Sequence, residues 1–174
     1  MNTFKLDSDK AKNALYFVIN ELITNVGNAD LHKIMKILYF AEQKHLSKYG
    51  LPLTGDDFIC MDYGPVPSWT KNEIELNDLI ERNSNDIHCT IEPDTDYLSE
   101  SNLECLRESI EENKSLTFRE LTDKSHDSAW HLTNPNSPIS TLQIYQATIT
   151  ENIQDDPVLE LLKLRLQNDQ LELQ

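Results

Sequence analysis

Residues 31–67 constrain the fold more than any other stretch of the chain, and they read LHKIMKILYFAEQKHLSKYGLPLTGDDFICMDYGPVP. Apolar residues recur there at three- and four-residue spacing, which predicts a helix. Ile37, Tyr39 and Phe40 widen the apolar face beyond the stripe of a surface helix, so this helix is expected to be mostly buried. The other helices are therefore expected to pack around it.

The ends and the polar edge of this central helix can also be predicted. Asp30 can cap its first turn, and Gly50 can adopt the left-handed conformation that ends a helix. One narrow polar stripe remains, and its members are His32, Lys36, Gln43 and Ser47. A polar stripe on a helix normally faces water, so the central helix is expected to be buried everywhere except along this edge.

Capping residues and apolar periodicity predict further helices on both sides of the central one. A helix over 9–26, capped by Asp7 or Ser8 and ended by Gly27, is expected to pair with the central helix as a hairpin. The later helices follow from the same signals. They are a helix over 69–82 capped by Ser68, a helix capped by Ser99 that buries Leu103, Leu106 and Ile110, a short helix with a capping box at Thr117 and Glu120 that carries Phe118 and Leu121 inward, a helix over 139–150, and a helix over 157–170 with Val158, Leu161, Leu162 and Leu166 on one side.

A small β element is predicted beside the central helix. Residues 57–61 have the composition of a short strand, and the glycine and prolines of residues 64–67 predict a stiff turn. Apolar alternation predicts a second short strand over 87–91, which is a candidate partner for 57–61.

The fold class is therefore mainly α: a compact helical domain around a central buried helix, with a small two- or three-stranded β element. A length of 174 residues suits a single domain of this kind. Residues 1–132 are expected to form the core domain. Residues 133–174 are expected to form a C-terminal helical extension packed on that core.

The charge of the chain bears on its partners. Fifteen Lys and Arg stand against thirty Asp and Glu, which gives a net charge of −15. Such a field repels phosphate backbones and favours basic partners, so no nucleic-acid binding by this chain alone is expected. The alternative interpretation is that an acidic surface serves solubility.

Membrane and export signals are not evident in the sequence. No stretch approaches the roughly 20 apolar residues that a membrane span needs, and the first ten residues hold no apolar signal region. A cytoplasmic location without a membrane partner is therefore expected. Cys60, Cys89 and Cys105 form no CxxC pair and are expected to be free thiols in a reducing compartment.

Three segments of the chain resemble one known family in order and spacing. The stretch KILYFAEQKHLSKYGLPLTGDDFICMDYGPVP resembles the core motif of the SocA-like antitoxin domain, also called Panacea. DYLSESNLECL is similar to a helix start of that family, and LTDKSHDSAW is similar to its segment with a histidine and a tryptophan. The resemblance covers residues 10 to about 132.

The resemblance implies neutralisation of a cognate protein toxin, encoded beside the antitoxin, by direct contact. In one branch of the family it implies an adaptor that delivers the toxin to an ATP-dependent protease. Two departures stand out. The family often continues Ser-x-Leu-Tyr after the GPVP turn, whereas this chain reads SWTK, and some relatives carry an N-terminal DNA-binding helix-turn-helix that is not expected here.

Six residues are candidates for contacting a partner, namely Asp56, Tyr63, Val66, Trp69, His126 and Trp130. The loop and turn around Tyr63 can serve the fold alone, or they can offer a rigid contact surface at low entropic cost. Trp130 can be a binding anchor, or it can be a lid on the helical core with His126 bonded to a loop backbone. Both alternatives stay open from the sequence.

Enzymatic interpretations find little support, and no catalytic residue, cofactor or metal set is predicted. His126, His131 and Asp127 could bind a metal, but nothing supplies a fourth ligand at a recognised spacing. The sequence holds no Gly-rich phosphate loop and no GxSxG elbow. A direct-binding antitoxin is the leading hypothesis, and a protease adaptor or an unrecognised hydrolase or metal enzyme are the alternatives.

Overall fold

The computed structural model of the chain describes residues 4–150 and 156–172, with side chains through residue 168. Within these ranges the fold is mainly α with a small β element, as predicted. The helices are α1 Ser8–Val26, α2 Leu31–Tyr49, α3 Ser68–Leu76, α4 Glu100–Asn113, α5 Phe118–Ser125, α6 Ser128–His131, α7 Thr141–Gln146 and α8 Pro157–Glu172, with a 3-10 turn at Thr95–Tyr97. The strands are β1 Phe58–Met61, β2 Gly64–Pro67, β3 Ile80–Asn83 and β4 Asp86–Cys89. The predicted domain ranges also include residues 1–3, 151–155 and 173–174, which lie outside the described residues.

The first two helices begin and end as predicted, because their capping residues form the expected contacts. Asp30 Oδ1 accepts the N–H of Lys33 at 3.0 Å, and Gly50 ends α2 with a φ of +60°. Asp7 caps α1 in the same way, and Gly27 ends it. α2 then packs against α1, α4, α5, α7, α8 and β2, which confirms it as the central helix.

Two hydrophobic clusters share α2. The first joins α2 to α1, α4 and β4, and it includes Leu15, Ile19, Ile34, Ile37, Leu106 and Ile87. The second joins α2 to β1, α5, α7 and α8, and it includes Tyr39, Leu46, Phe58, Leu121, Tyr145 and Leu162. Ile37 and Tyr39 belong to different clusters and are both fully buried, so α2 is covered by apolar side chains on more than one side.

The strand pairing differs from the prediction. β1 pairs with β2 in an antiparallel hairpin, so residues 64–67 form a strand and the turn lies at Asp62–Tyr63. The predicted pairing of residues 57–61 with 87–91 is wrong, because β4 pairs with β3 instead. The other edge of β1 is bonded to the chain near Pro138, with Ile139 donating to the Phe58 carbonyl at 2.8 Å. β1 is therefore paired along both edges.

The two prolines of β2 are compatible with a strand because of their register. Pro65 and Pro67 stand opposite Cys60 and Phe58, whose backbone groups point away from the hairpin toward residues 136–139. In an antiparallel pair this alternation puts the prolines at positions that need no N–H for the ladder. The Pro65 carbonyl points away from β1 and accepts from the Lys36 amine at 2.8 Å.

Two predicted helices are shorter than expected. α3 ends at Leu76 rather than at residue 82, because the chain turns at Asn77 and enters the β3–β4 hairpin. Ser68 does not cap it, and the start of α3 is capped from a distance, as described below. The helix predicted over 139–150 is α7, which begins after the cap Ser140 and has a complete capping box.

Several side chains lie where the sequence pattern did not place them. Phe118 is 52% exposed rather than carried inward, because it occupies the first position of α5 and that helix turns a later residue to the core. In α8, Leu159 and Leu162 are buried, while Leu161 is exposed. Lys36, predicted to face water, is 0% exposed because β2 packs across this face of α2.

The three cysteines Cys60, Cys89 and Cys105 are buried free thiols, as predicted. Burial raises the pKa of each thiol, to about 11 for Cys105. A buried thiol with a raised pKa is a poor nucleophile. Among the described helices, none has the length and apolar character that crossing a membrane would require.

Candidate functional site

A groove of about 330 Å³ lies between the first half of α2, the β1–β2 hairpin and the start of α5. Its apolar walls are formed by Leu31, Met35, Met61, Tyr63, Val66 and Phe118. The charged side chains that line it are Lys36, Lys71 and Asp62. An apolar concavity with a few polar groups has the general character of a binding site.

Exposed aromatic residues form one rim of this groove. Tyr63 is 62% exposed and meets Phe118 edge to face, with ring centroids 5.3 Å apart. Phe118 in turn stacks on His32 of α2 at 4.0 Å. Met61 adds a further exposed apolar side chain beside them. Three separate elements thus contribute to a single exposed apolar rim.

The turn that presents Tyr63 is fixed by the side chains of His126, which follows α5, and of Trp130 in α6. His126 donates from Nε2 to the Asp62 carbonyl at 3.1 Å, and Trp130 donates from Nε1 to the Met61 carbonyl at 2.8 Å. The two rings stack at 3.7 Å with an angle of 10° between their planes. This is the bond of His126 to a loop backbone that belonged to the lid alternative for Trp130. Tyr63 projects from a turn in which the carbonyl groups of Met61 and Asp62 are already bonded.

Asp127 fixes the segment that carries these two rings. Its Oδ2 accepts from the Tyr39 hydroxyl at 2.8 Å and from the Gln43 amide at 2.7 Å, both on α2. Its Oδ1 caps α6 by accepting the N–H of Trp130 at 3.1 Å. Burial, followed by the charge of Asp127, raises the pKa of the Tyr39 hydroxyl. The stacked pair is thereby bonded to the central helix as well as to the hairpin.

Lys36 lies at the floor of the groove, beneath β2. Its amine donates to the Pro65 carbonyl at 2.8 Å, and burial lowers its pKa to about 7. Gly64 makes this position possible. A Cβ at Gly64 would lie 3.0 Å from Lys36 Cε and 2.2 Å from the hydroxyl of Ser125, and the φ of +99° also favours glycine.

Protonation sets the charge of the groove near neutral pH. Burial, with a further contribution from the nearby Lys36 amine, lowers the pKa of His32 to about 4. His32 is therefore neutral at pH 7, and the stack with Phe118 involves a neutral imidazole. Burial also lowers the pKa of His126, which agrees with its role as a neutral donor to the hairpin.

The six predicted contact candidates do not form one site. The structure brings Tyr63, His126 and Trp130 together around the hairpin turn, and Val66 lines the groove. Asp56 and Trp69 lie instead at the start of α3. The buried carboxylate of Asp56 accepts the N–H groups of Trp69 and Thr70 at 3.0 and 2.9 Å, and so it caps α3 in place of Ser68.

Sequence reasoning missed Phe118, Lys36 and Met61 as groove residues. The capping box at Thr117 was read correctly, but it places Phe118 at the first helical position, where the side chain had been assigned to the core. Lys36 stands between Met35 and Ile37 on a nearly all-round apolar helix. That setting was the available signal that the lysine is buried.

Metal binding by His126 and His131, for which the sequence offered no fourth ligand, has no support in the geometry. Across residues 4–150 and 156–172, no three His, Cys, Asp or Glu side chains converge in a way that could hold an ion. His126 uses its Nε2 on the hairpin, and its ring centroid is 6.5 Å from that of His131. The arrangement offers a rigid, partly aromatic contact surface instead of a set of metal ligands.

Comparison with known proteins gives one match. A family described as antitoxin SocA-like, Panacea domain, matches residues 34–131, which is more than half of the chain. The matched segment runs from α2 to α6 and includes most of the groove and both rings that anchor the hairpin. Searches of curated proteins and of solved structures return no match.

Proposed function

The chain belongs to the SocA-like antitoxin family with a Panacea domain, and from this premise we propose that it neutralises one cognate protein toxin by binding it directly. Family membership supports an antitoxin role in general. The direct contact is our proposal, and the surface we assign to it is the groove with its rim of Met61, Tyr63 and Phe118. The proposal gives no residue a catalytic role.

The observation that carries this proposal is the exposed aromatic pair on a rigid turn. Tyr63 and Phe118 are more than half exposed although they are large apolar side chains, and they stand side by side. Protein interfaces draw much of their binding energy from a few aromatic anchors. Because the turn is already fixed by Trp130 and His126, little conformational entropy is lost when a partner binds.

The overall charge supports a basic partner. A chain with a net charge of −15 attracts a positively charged protein over distances of about a Debye length, roughly 8 Å at physiological salt. Such attraction raises the rate of encounter more than the final affinity. The aromatic rim would then supply the contact that holds the complex together.

The direct test is co-expression of this chain with the product of the adjacent reading frame. We expect that product to arrest growth alone, to be harmless with this chain, and to co-purify with it at a fixed ratio. A harmless neighbour would contradict the pairing with that gene. Rescue of growth without a complex, with falling amounts of the toxin, would contradict neutralisation by stable binding.

A protease adaptor is the second candidate function, and the outward face of α8 favours it. Leu161 and Leu164 are exposed on this helix while Leu159 and Leu162 face the core. Glutamate at both exposed positions tests the idea without touching the core. Retained toxin binding with lost toxin degradation would support the adaptor, and unchanged degradation would exclude this face.

A further inference from the structure

Helix α8 has apolar residues on two opposite sides. Leu159 and Leu162 are buried in the second hydrophobic cluster, whereas Leu161 and Leu164 are exposed. Because successive residues of an α-helix are about 100° apart around its axis, the exposed pair lies nearly opposite the buried pair. A helix at the surface of a single domain needs only one apolar side. The outward leucines are therefore in excess of what packing on this domain requires.

The spacing along the outward side of α8 follows a heptad. The exposed Leu161, Leu164 and Asn168 form what we call the outward row, and Leu171 continues the spacing in the sequence. Steps of three, four and three residues are those of alternating a and d positions in a coiled coil, with Asn168 at an a position. A single Asn at an a position specifies the register and the oligomeric state of a coiled coil. The outward row thus has the pattern of a helix that pairs with a copy of itself.

The position of the asparagine selects a parallel pair. In a parallel arrangement Asn168 of one copy faces Asn168 of the other, and an amide can both donate to and accept from a second amide. An antiparallel arrangement would place Asn168 against Leu164 of the other copy and leave the amide without a partner. The parallel arrangement is therefore favoured.

Charges beside the outward row are complementary between two parallel copies. The row itself is uncharged, with Glu160 at the g position before it and Arg165 at an e position. These two positions face each other between the helices of a parallel coiled coil. Glu160 also contacts Lys163 at 2.9 Å, and Arg165 also donates to two carbonyl groups of its own chain, so the pairing selects the orientation more than it adds affinity.

The attachment of α8 to its domain is compatible with a second helix on its outward side. Leu162 is fully buried, and Arg165 bonds the helix to carbonyl groups at the end of α2. Because the core lies on the side opposite the outward row, two chains joined along this row have their domains on opposite outer faces. The groove described above lies along the first half of α2, away from this attachment. Association through α8 therefore leaves the groove open.

We propose that two copies of this chain associate through the outward row of α8 as a short parallel coiled coil, with Asn168 of each copy facing Asn168 of the other. A contact of about two heptads is smaller than a standard interface of roughly 1,600 Å², and the net charge of −15 opposes association, so the dimer forms in the micromolar range. This inference does not rest on the proposed function. A protease adaptor would use the same face, and the tests below separate the two occupants.

Analytical ultracentrifugation of the full chain from about 1 to about 300 µM measures the association directly. We expect the average mass to rise from that of one chain toward that of two as the concentration increases. A single chain throughout this range would overturn the proposal. If the native chain stays single while the glutamate variant at Leu161 and Leu164 loses toxin degradation, the outward row belongs to a protease instead.

Two double variants locate the contact. Leu161→Glu with Leu164→Glu should weaken association more than about tenfold, because it places charges along the outward row. Leu76→Glu with Leu79→Glu is the matched control, since these leucines are also exposed and also three residues apart. Circular dichroism checks that both variants fold. Association that survives the first variant, or that is lost in the control, would overturn the role of α8.

A second pair of variants tests the register. Asn168→Asp keeps the shape of the side chain and places two carboxylates face to face in the parallel pair, which should weaken association about tenfold or more. Gln167→Glu introduces the same charge one residue away, beside the row, and should weaken it less than about threefold. Equal effects of the two variants would overturn the parallel pairing through Asn168.

Discussion

At the scale of single residues, Gly64, Ser125 and Lys36 are packed closely together beneath the hairpin turn. The backbone of Gly64 lies against the hydroxyl of Ser125 and the end of the Lys36 side chain. Space for a Cβ is lacking, and the positive φ would strain any other residue. The hairpin can therefore lie close over α2 and α5 only with glycine at this position.

Substitution of Gly64 by alanine should destabilise the fold by about 3 kcal/mol, from about 1 kcal/mol of backbone strain and the remainder from overpacking. Gly27→Ala is the matched control, because Gly27 has a similar φ of +90° and no atom within 4 Å of its Cβ position. The free energy of unfolding of that variant should fall by about 1 kcal/mol. Urea denaturation measures both, and equal losses would contradict the close packing at Gly64.

The lowered pKa of Lys36 leads us to predict that the stability of the fold depends on pH. Its pKa is about 7 in the folded chain and near 10.5 in the unfolded one, so the unfolded state binds more protons between these values. Stability of the native sequence should therefore rise with pH through this window. Below pH 7 the folded state bears the full cost of the buried charge.

Lys36→Met removes this titration and should be more stable than the native sequence. Its advantage should be greatest at about pH 6 and should shrink by about pH 10, because deprotonating the lysine on folding costs less as the pH approaches the pKa of the unfolded state. Urea denaturation of the two proteins at both pH values measures the difference, in which titrations shared by the two chains cancel. A difference that does not change with pH would mean that Lys36 is not a buried cation.

At the scale of elements, α3 is held by a residue far from it in sequence. Asp56 accepts two backbone N–H groups and the hydroxyl of Thr70, at 2.8 Å for the hydroxyl. Burial raises the pKa of this carboxyl, and the hydrogen bonds oppose that change. The loop before β1 and the helix after β2 are thus joined through one side chain.

Asp56→Ala should destabilise the fold by about 3 kcal/mol, because it leaves buried donors unsatisfied. Ser68→Ala is the natural control, since Ser68 occupies the position from which a local cap would act. That variant should change stability by less than about 0.5 kcal/mol. Thermal unfolding monitored by circular dichroism distinguishes the two. A larger loss for Ser68 would restore the local cap that the sequence predicted.

Contacts between residues within one helical turn of each other could be predicted from the sequence. Contacts between segments far apart in the sequence could not. Asp7, Asp30, Ser99 and Thr117 were read correctly as caps because a cap and its partner are three residues apart. The pairing of β1 was predicted wrongly, because the sequence of a four-residue strand contains too little information to identify its partner strand.

The candidate site was predictable in part for the same reason. Tyr63 and Trp130 were singled out as aromatic residues in polar or turn segments, and the structure brings them to one turn. Lys36 was placed in water by its residue type, although β2, which begins at Gly64, covers it. Asp56 was assigned to the surface, although α3 buries it. Both assignments failed because tertiary contacts overrode the local pattern.

At the scale of the whole molecule, α2 belongs to both hydrophobic clusters, and α8 completes the second one. Leu159 and Leu162 pack in that cluster with residues of α2, β1 and α7. Arg165 donates to the carbonyl groups of Tyr49 and Gly50, at 3.0 and 2.9 Å, just past the end of α2. These contacts support the prediction that the C-terminal extension packs on the core.

Leu162→Ala should therefore destabilise the whole fold by about 3 kcal/mol, because Leu162 is fully buried. Leu161→Ala, one residue away and exposed, should cost less than about 1 kcal/mol. Urea denaturation followed by the fluorescence of Trp69 and Trp130 reports on both ends of the hairpin. A separate early transition in the Leu162 variant would contradict a C-terminal helix that is integral to the fold.

The central claim is that Tyr63 and its neighbours hold a protein toxin, and the affinity of the purified complex tests it most directly. Tyr63→Ala should weaken binding about 30-fold, as expected for an aromatic anchor. Tyr97→Ala removes a comparable tyrosine, 48% exposed, from the 3-10 turn at Thr95–Tyr97, which does not line the groove, and should weaken it less than about twofold. Isothermal titration calorimetry measures both. Unchanged affinity in the Tyr63 variant, with its fold intact, would place the contact elsewhere on the molecule.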